Sequence, residues 1–237
     1  MRRVAGPALR VLITRPEPDA HSVADEVRRR GHDPVVAPVI QIVVLTREPG
    51  PDPNETWVFT SANGVRAAAV QGWRPHHPVF AVGNSSAGAA RMAGYAIAGI
   101  GQSDAGALAA LIAQQADRTR GIIHLAGENR AGDLEAELAL AGLCTQTIAI
   151  YEARAVSELP AIARNFFYGE SGAVLLFSAR SARILENLLN DSGMAESARA
   201  HRALAFSESV ANAARAMLWK SLAVASTPRL GAMLDLV

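Results

Sequence analysis

Cysteine is almost absent: the 237 residues contain one, Cys144. One thiol forms no internal disulfide, and no further ligand residues surround it at metal-binding spacing, which excludes a disulfide scaffold and a thiolate metal site. A single thiol suits a reducing cytoplasm, and the burial habit of unpaired cysteines leads us to expect Cys144 in the core. Long apolar runs are missing as well. No stretch approaches the roughly 20 residues that span a bilayer. The apolar run after the opening MRRVAGPALR ends at Thr14-Arg15, too soon for a signal-peptide core. Nor is there an excess of one charge. With 23 basic against 22 acidic residues and a formal charge of +1, no strong overall field draws the chain to nucleic acid or a membrane surface. A polyanionic ligand would have to be gripped locally.

The usual catalytic signatures are also lacking. There is no G-x-x-x-x-G-K-[ST], no G-x-G-x-x-G after a strand, no G-x-S-x-G elbow and no H-E-x-x-H. The six histidines are scattered; His76-His77 sits in a Pro-flanked loop and His124 inside an apolar run, where a hydrogen-bonded core histidine is the ordinary case. No metal and no cofactor is expected.

What is present is a folding composition, half apolar and 19% charged, in a chain between one large domain and two of ordinary size. The chain also repeats itself. Residues 11–42 pair with 122–153, placing Val11 on Ile122 and Gly31 on Gly142; FTSANGVRAAAV (59–70) pairs with the stretch from Leu176, placing Ser61 on Ser178; 81–98 pairs with 205–225, and GALAAL (106–111) with GAMLDL (231–236). An internal duplication is the natural reading. Each half reads as five short apolar strands separated by helical periods such as Ala20, Val23, Ala24 and Val27. Strands apolar on both faces and alternating with helices form parallel sheets, so the spacing predicts two doubly wound α/β domains. Gly31 and Gly142 read as helix C-caps, and Thr227-Pro228 as an N-cap with proline at N1.

VVAPVIQIVVL (35–45) is about twice an ordinary strand, and its repeat partner TQTIAIYEARAV (145–156) is also long. Two long strands at equivalent places suggest that the chain leaves one domain along the first and returns along the second. The expected organisation is a discontinuous domain of residues 1–38 and 153–237, a second domain of 41–149, and connecting strands at 38–42 and 147–154.

In parallel α/β sheets, ligands bind beyond the carboxyl ends of the strands, where helix N-termini present unpaired N–H groups. The strand ends here carry Thr14-Arg15, Thr60-Ser61-Ala62-Asn63, Gly83-Asn84-Ser85-Ser86, Gly127-Glu128-Asn129-Arg130, Ser178-Ala179-Arg180-Ser181 and Ser207-Glu208-Ser209. Small residues, hydroxyls and arginines suit anion capture by backbone amides, although each Ser or Asn can equally be a plain N-cap. Tyr151 stands out at the end of the second long strand, where its repeat partner is the aliphatic Ile40. It is either a proton donor or a packed, hydrogen-bonded phenol.

Taken in order, Thr14-Arg15-Pro16, FTSANGV (59–65), AVGNSSAGA (81–89), GENRAGDL (127–134) as a G-x-x-R-x-x-L element, IAIYEAR (148–154) and LLFSARS (175–181) resemble the uroporphyrinogen III synthase family over essentially the whole chain. The resemblance implies two flavodoxin-like α/β domains joined by a two-stranded β-ladder, with the active cleft between them. It also implies a cofactor-free cyclising lyase that converts hydroxymethylbilane, a linear tetrapyrrole, to uroporphyrinogen III through a spirocyclic intermediate. Tyr151 would be the catalytic residue, with Thr14, Arg15, Ser61, Asn63, Gly83, Ser86, Gly127, Arg130, Ser178, Arg180, Ser207 and Ser209 around the substrate. The implied chain is a cytoplasmic monomer with no nucleic-acid or membrane partner, in transient contact with the preceding deaminase of the pathway. One departure is visible: the family's late G-x-x-T-A element is here Ser207-Glu208-Ser209-Val210-Ala211, with valine in place of threonine. A non-catalytic two-domain module binding a tetrapyrrole or another anion is the alternative.

Overall fold

In a computed structural model, which describes residues 8–101, 105–129 and 133–237, the chain forms two compact units, Met1–Gln41 with Arg154–Val237, and Ile42–Ala153. In chain order the elements are β1 (Arg10–Ile13), α1 (Asp19–Arg29), β2 (Asp33–Val36), β3 (Ile40–Val44), β4 (Thr56–Phe59), α2 (Ala62–Val70), β5 (Val79–Val82), α3 (Gly83–Met92), β6 (Ile97–Gly101), α4 (Ala105–Gln115) and β7 (Ile122–Gly127). They continue with α5 (Leu134–Leu140), β8 (Thr145–Ala155), α6 (Ala161–Phe167), β9 (Ala173–Leu176), α7 (Ala179–Asp191), a 3-10 helix (Ala195–Ala200), β10 (Arg202–Ala205), α8 (Glu208–Ala214), β11 (Ser221–Val224) and α9 (Leu230–Leu234). Among the described residues no helix is long and apolar enough to cross a membrane.

The first unit's sheet has the order β11-β10-β9-β1-β2 and is parallel throughout. Counted along the chain within the unit, this is the 2-1-3-4-5 order of flavodoxin-like folds. Its core joins Val11, Ile13 and Leu175 of the sheet to Val23 and Val27 of α1 and Met233 of α9. α1 buries Ala20, Val23, Ala24 and Val27 as one stripe, carries Asp19 in its first turn and Arg28 and Arg29 in its last, and so complements its own dipole. It ends where Gly31 adopts φ 84°, a left-handed position that costs glycine little.

The second unit's sheet has the order β3-β8-β7-β4-β5-β6. From β8 to β6 it is parallel. Under the sequence pairing, β7, β8, β4, β5 and β6 correspond to β1, β2, β9, β10 and β11, and the two sheets have the same strand order. Alternate residues of β4 serve the two faces: Trp57 and Phe59 pack with Val65, Tyr95, Leu125 and Tyr151, whereas Val58 packs with Phe80, Leu108, Ile112 and Leu138. Both faces are therefore apolar and covered, as a doubly wound sheet requires.

The 35–45 stretch, expected as one strand, is two: β2 ends at Val36 in one sheet and β3 begins at Ile40 in the other. Pro38 lies in the break and has no N–H for a ladder; Ala37 and Val39 on either side donate to the carbonyls of Ile13 and Thr14. β8, by contrast, is continuous over eleven residues. Leu45 donates to the Ile150 carbonyl and Val156 to the Val39 carbonyl, so β3 and β8 run antiparallel. Two smaller expectations fail. Cys144 is exposed, because Leu143 takes the buried position in the turn after α5. α9 starts at Leu230 with Arg229 as its N-cap, since Thr227 is spent on a tight turn in which its carbonyl accepts from Arg229 N–H.

Candidate active site

Where the strand order of a parallel sheet reverses, the connections diverge and leave a crevice outside the carboxyl ends. The reversal lies between β1 and β9 in the first unit and between β7 and β4 in the second.

At the first reversal Thr14 is fully buried, and its Oγ1 donates to the Leu175 carbonyl at 3.0 Å. Its hydroxyl ties β1 to β9 and is used within the fold. Arg15, next along the chain, is partly exposed. Its guanidinium sits 5.1 Å from the ring centroid of Phe177, at the end of β9, and Nη2 is 3.3 Å from Asp19 Oδ2 in the first turn of α1. Neither contact is strong in a solvated setting, about 0.5–1 kcal/mol for the cation over the ring and about 0–1 for the ion pair, but together they hold the guanidinium between the end of β9 and the start of α1. Ser178 caps α7: its Oγ accepts from Ser181 N–H at 3.1 Å and lies 2.8 Å from Ser181 Oγ, which in turn donates to the Ser178 carbonyl. Arg180 is exposed in the first turn of the same helix. The N–H groups at such a helix start have no acceptor within the helix. On the next strand Ser207 precedes α8 without capping it; its Oγ lies 3.0 Å from Ser209 Oγ. Val210 is 3% exposed and belongs to the core, so the position where the resemblance implies a threonine is apolar packing here.

At the second reversal Ser61 caps α2, its side chain accepting from Asn63 N–H at 3.1 Å, while Asn63 Oδ1 accepts from Arg66 at 2.8 Å. Beside them Thr60 Oγ1 and His124 Nε2 are 2.9 Å apart, joining β4 to β7. One strand further out, Gly83 opens α3 with φ 68°, and Ser86 is buried in that helix. Arg130 lies outside the described residues. Gly127 ends β7 and is buried, with the Tyr151 ring directly over it: a Cβ built on Gly127 would stand 2.6 Å from Tyr151 Cζ. Tyr151 is 8% exposed. Among the described residues no three His, Cys, Asp or Glu side chains gather as a metal site.

The sequence candidates thus divide. Thr14, Arg15, Ser178 and Arg180 gather at one reversal; Ser61, Asn63, Gly127 and Tyr151 gather at the other; Gly83, Ser86, Ser207 and Ser209 stand on the neighbouring strand ends. The family model for uroporphyrinogen-III synthase HemD matches residues 21–235. The chain belongs to this family. Two solved structures support the fold of this synthase family member: uroporphyrinogen-III synthetase from Helicobacter pylori 26695, at 15% identity and TM-score 0.65 over 96% of this chain and 97% of that one, and a mutant uroporphyrinogen III synthase from the extremely thermophilic bacterium Thermus thermophilus, at 20% identity and TM-score 0.50 over 96% of each chain. No curated protein matches. Sequence reasoning missed three partners in this synthase chain. Phe177 and Asp19 hold Arg15, and Thr60 binds His124; the aromatic directly before Ser178 and the carboxylate four residues after Arg15 were the available signals.

Proposed function

We propose that this chain converts hydroxymethylbilane to uroporphyrinogen III, with loss of water and inversion of the last pyrrole ring, as a cofactor-free lyase of tetrapyrrole biosynthesis. The family match over residues 21–235 carries this reading. The first pyrrole of the substrate expels its own hydroxymethyl oxygen as the C–O bond breaks, leaving an azafulvene cation. The substituted carbon of the last ring attacks it to give a spirocyclic pyrrolenine, and fragmentation with reclosure inverts that ring. Because the pyrrole nitrogen supplies the electron push, the protein has to fold the chain, exclude competing closure and provide one weak acid.

Tyr151 is the residue we assign as that acid, giving its phenolic proton to the departing hydroxyl. In support, its ring lies beside the reversal of the second sheet, where ligands of such folds bind. The substrate carboxylates are held by the helix-start amides behind Ser61, Gly83, Ser86, Ser178 and Ser207, with Arg15, Arg130 and Arg180 as cations. Asn63 and Ser209 complete the set; Gly127 contributes from beneath the Tyr151 ring, and Thr14 by anchoring the strand that leads to Arg15. The exposed, unpaired Cys144 suits a reducing cytoplasm. We read the chain as a monomer there, in transient contact with the deaminase that makes its substrate, which sedimentation with and without that enzyme tests.

The decisive experiment supplies enzymatically generated hydroxymethylbilane and resolves the type I and type III products. Type III product above the uncatalysed background is the expected result. Type I alone, at the spontaneous rate, would leave a tetrapyrrole-binding module without turnover.

A further inference from the structure

Tyr151 does not reach its position by ordinary strand geometry. β7 and β8 pair in register from Ile122 with Thr145 to Ala126 with Ala149, and then the register slips: Gly127 pairs with Tyr151, leaving Ile150 as an extra residue. Side chains alternate across a strand, so without that slip Ile150 would occupy the Gly127 rung and Tyr151 would face the other way. The bulge turns the phenol onto the face of Leu125 and Val65, and its ring meets two glycines there. Over Gly127 the space for a Cβ is already filled by Tyr151, with Cζ at 2.6 Å, Cε2 at 2.8 Å and the hydroxyl oxygen at 2.9 Å. At Gly64 in α2 a Cβ would stand 2.8 Å from the Leu125 carbonyl and 3.7 Å from Tyr151 Cε1. Neither glycine has a positive φ, so what the fold needs at these positions is room and not conformational freedom.

We propose that Gly127, with Gly64 and the Ile150 bulge, forms a seat that fixes the Tyr151 phenol, making Gly127 a positioning residue for the reaction. This rests on Tyr151 being the acid. Gly64 lets the Ser61-capped helix approach β7 closely enough to wall one edge of the ring, and Gly127 supplies the floor. Because a Cβ on Gly127 would stand 2.9 Å from the phenol oxygen, a methyl group there displaces the proton-bearing atom and not merely the ring.

The test combines Gly127→Ala, Tyr151→Phe and their double variant, with kcat and KM measured separately on hydroxymethylbilane and 19F spectra recorded on 3-fluorotyrosine-labelled protein. The chain has three tyrosines, and the signal lost in Tyr151→Phe identifies residue 151. Gly127→Ala is expected to shift that signal, to lower kcat about as far as Tyr151→Phe does with KM changed less than about twofold, and to cost nothing further in the Tyr151→Phe background, the non-additivity of groups acting as one unit. An unmoved signal, or an equal loss of kcat in both backgrounds, overturns the seat. Tyr151→Phe with parental turnover instead overturns the acid assignment, a distinct result. Should Gly127→Ala fold poorly, melting temperatures decide: in a Tyr151→Ala background the added methyl group has space, so the double variant should melt above Gly127→Ala alone, and an equal loss of melting temperature in both backgrounds sinks the proposal.

Discussion

At the first reversal the chain leaves β1 through Arg15, with Phe177 beneath it at the end of β9. The paired positions at the second reversal are Ala126 and Thr60, neither charged nor aromatic. Conversely, Tyr151 of the second unit is paired with Ile40. What the two places share is the cap: Ser178 and Ser61 each begin a helix in extended backbone and each accept from a first-turn N–H. Three residues past the cap they part again. Ser181 adds a second hydroxyl to the first helix start, while Gly64 removes a side chain so that the second helix can close on β7. The paired segments keep the topology and the caps and vary the residues around them, which puts a cation at the reversal of the first sheet and a phenol at that of the second.

If that difference is functional, the two reversals respond differently to substitution. Tyr151→Phe keeps the ring and deletes the proton, and should lower kcat by as much as about 100-fold, near the lower limit for general acids because the leaving group is already assisted. Its product should be richer in the type I isomer, formed by spontaneous closure of released intermediate, as chromatography of the product isomers would register. Arg15→Ala should act on the other parameter, raising KM by about tenfold with kcat largely retained, as loss of one charge-assisted contact of roughly 1.5–3 kcal/mol implies. Steady-state kinetics of the two variants side by side would break the comparison if both changed the same constant.

The sequence made the caps and the strand ends legible because they follow local rules. A hydroxyl before an apolar helical period marks a helix start, and a glycine after one marks a helix end, which is how Ser61, Ser178, Gly31 and Gly142 could be read in advance. The long segment 35–45 misled because apolar composition does not reveal that Pro38 separates strands belonging to different sheets. Cys144 misled because burial there was decided by its neighbour Leu143. The seat under Tyr151 was invisible: a one-residue slip in register depends on how two strands 20 or more residues apart pair, and nothing in the run IAIYEAR signals it.

The caps offer a smaller test of the same comparison. Ser61→Ala and Ser178→Ala should each cost about 1 kcal/mol, the usual value of a hydroxyl N-cap, or roughly 2–4 °C in melting temperature for a chain of this size. Ser178→Ala should be the more damaging, because Ser181 Oγ loses a partner at 2.8 Å as well. Equal losses measured by differential scanning calorimetry would mean that the second hydroxyl adds nothing.

The smallest expected effect belongs to the first unit alone. His201 is fully buried between Phe166 and Phe167, stacked at 4.6 Å on the former. Its Nδ1 accepts from Gly172 N–H at 3.1 Å, so that nitrogen carries no proton and the ring is held neutral. Burial pushes its pKa below the ordinary histidine value; the Phe167 carbonyl, 3.4 Å from Nε2, opposes that shift, and the Arg10 cation adds to it. In the unfolded chain the imidazole takes up its proton near pH 6.5, while the folded protein resists until a lower pH. The unfolded state therefore binds more protons in that interval, and stability falls as the pH drops below about 6.5, levelling off once the folded ring is protonated as well. With one proton involved, the slope is no steeper than about 1.4 kcal/mol per pH unit. His201→Asn, which removes the titrating group, should flatten this part of the stability profile measured by urea unfolding between pH 7.5 and about 5. Trp219, the one tryptophan of the first unit, reports the transition there. An undiminished slope in the variant would assign the acid sensitivity to other groups.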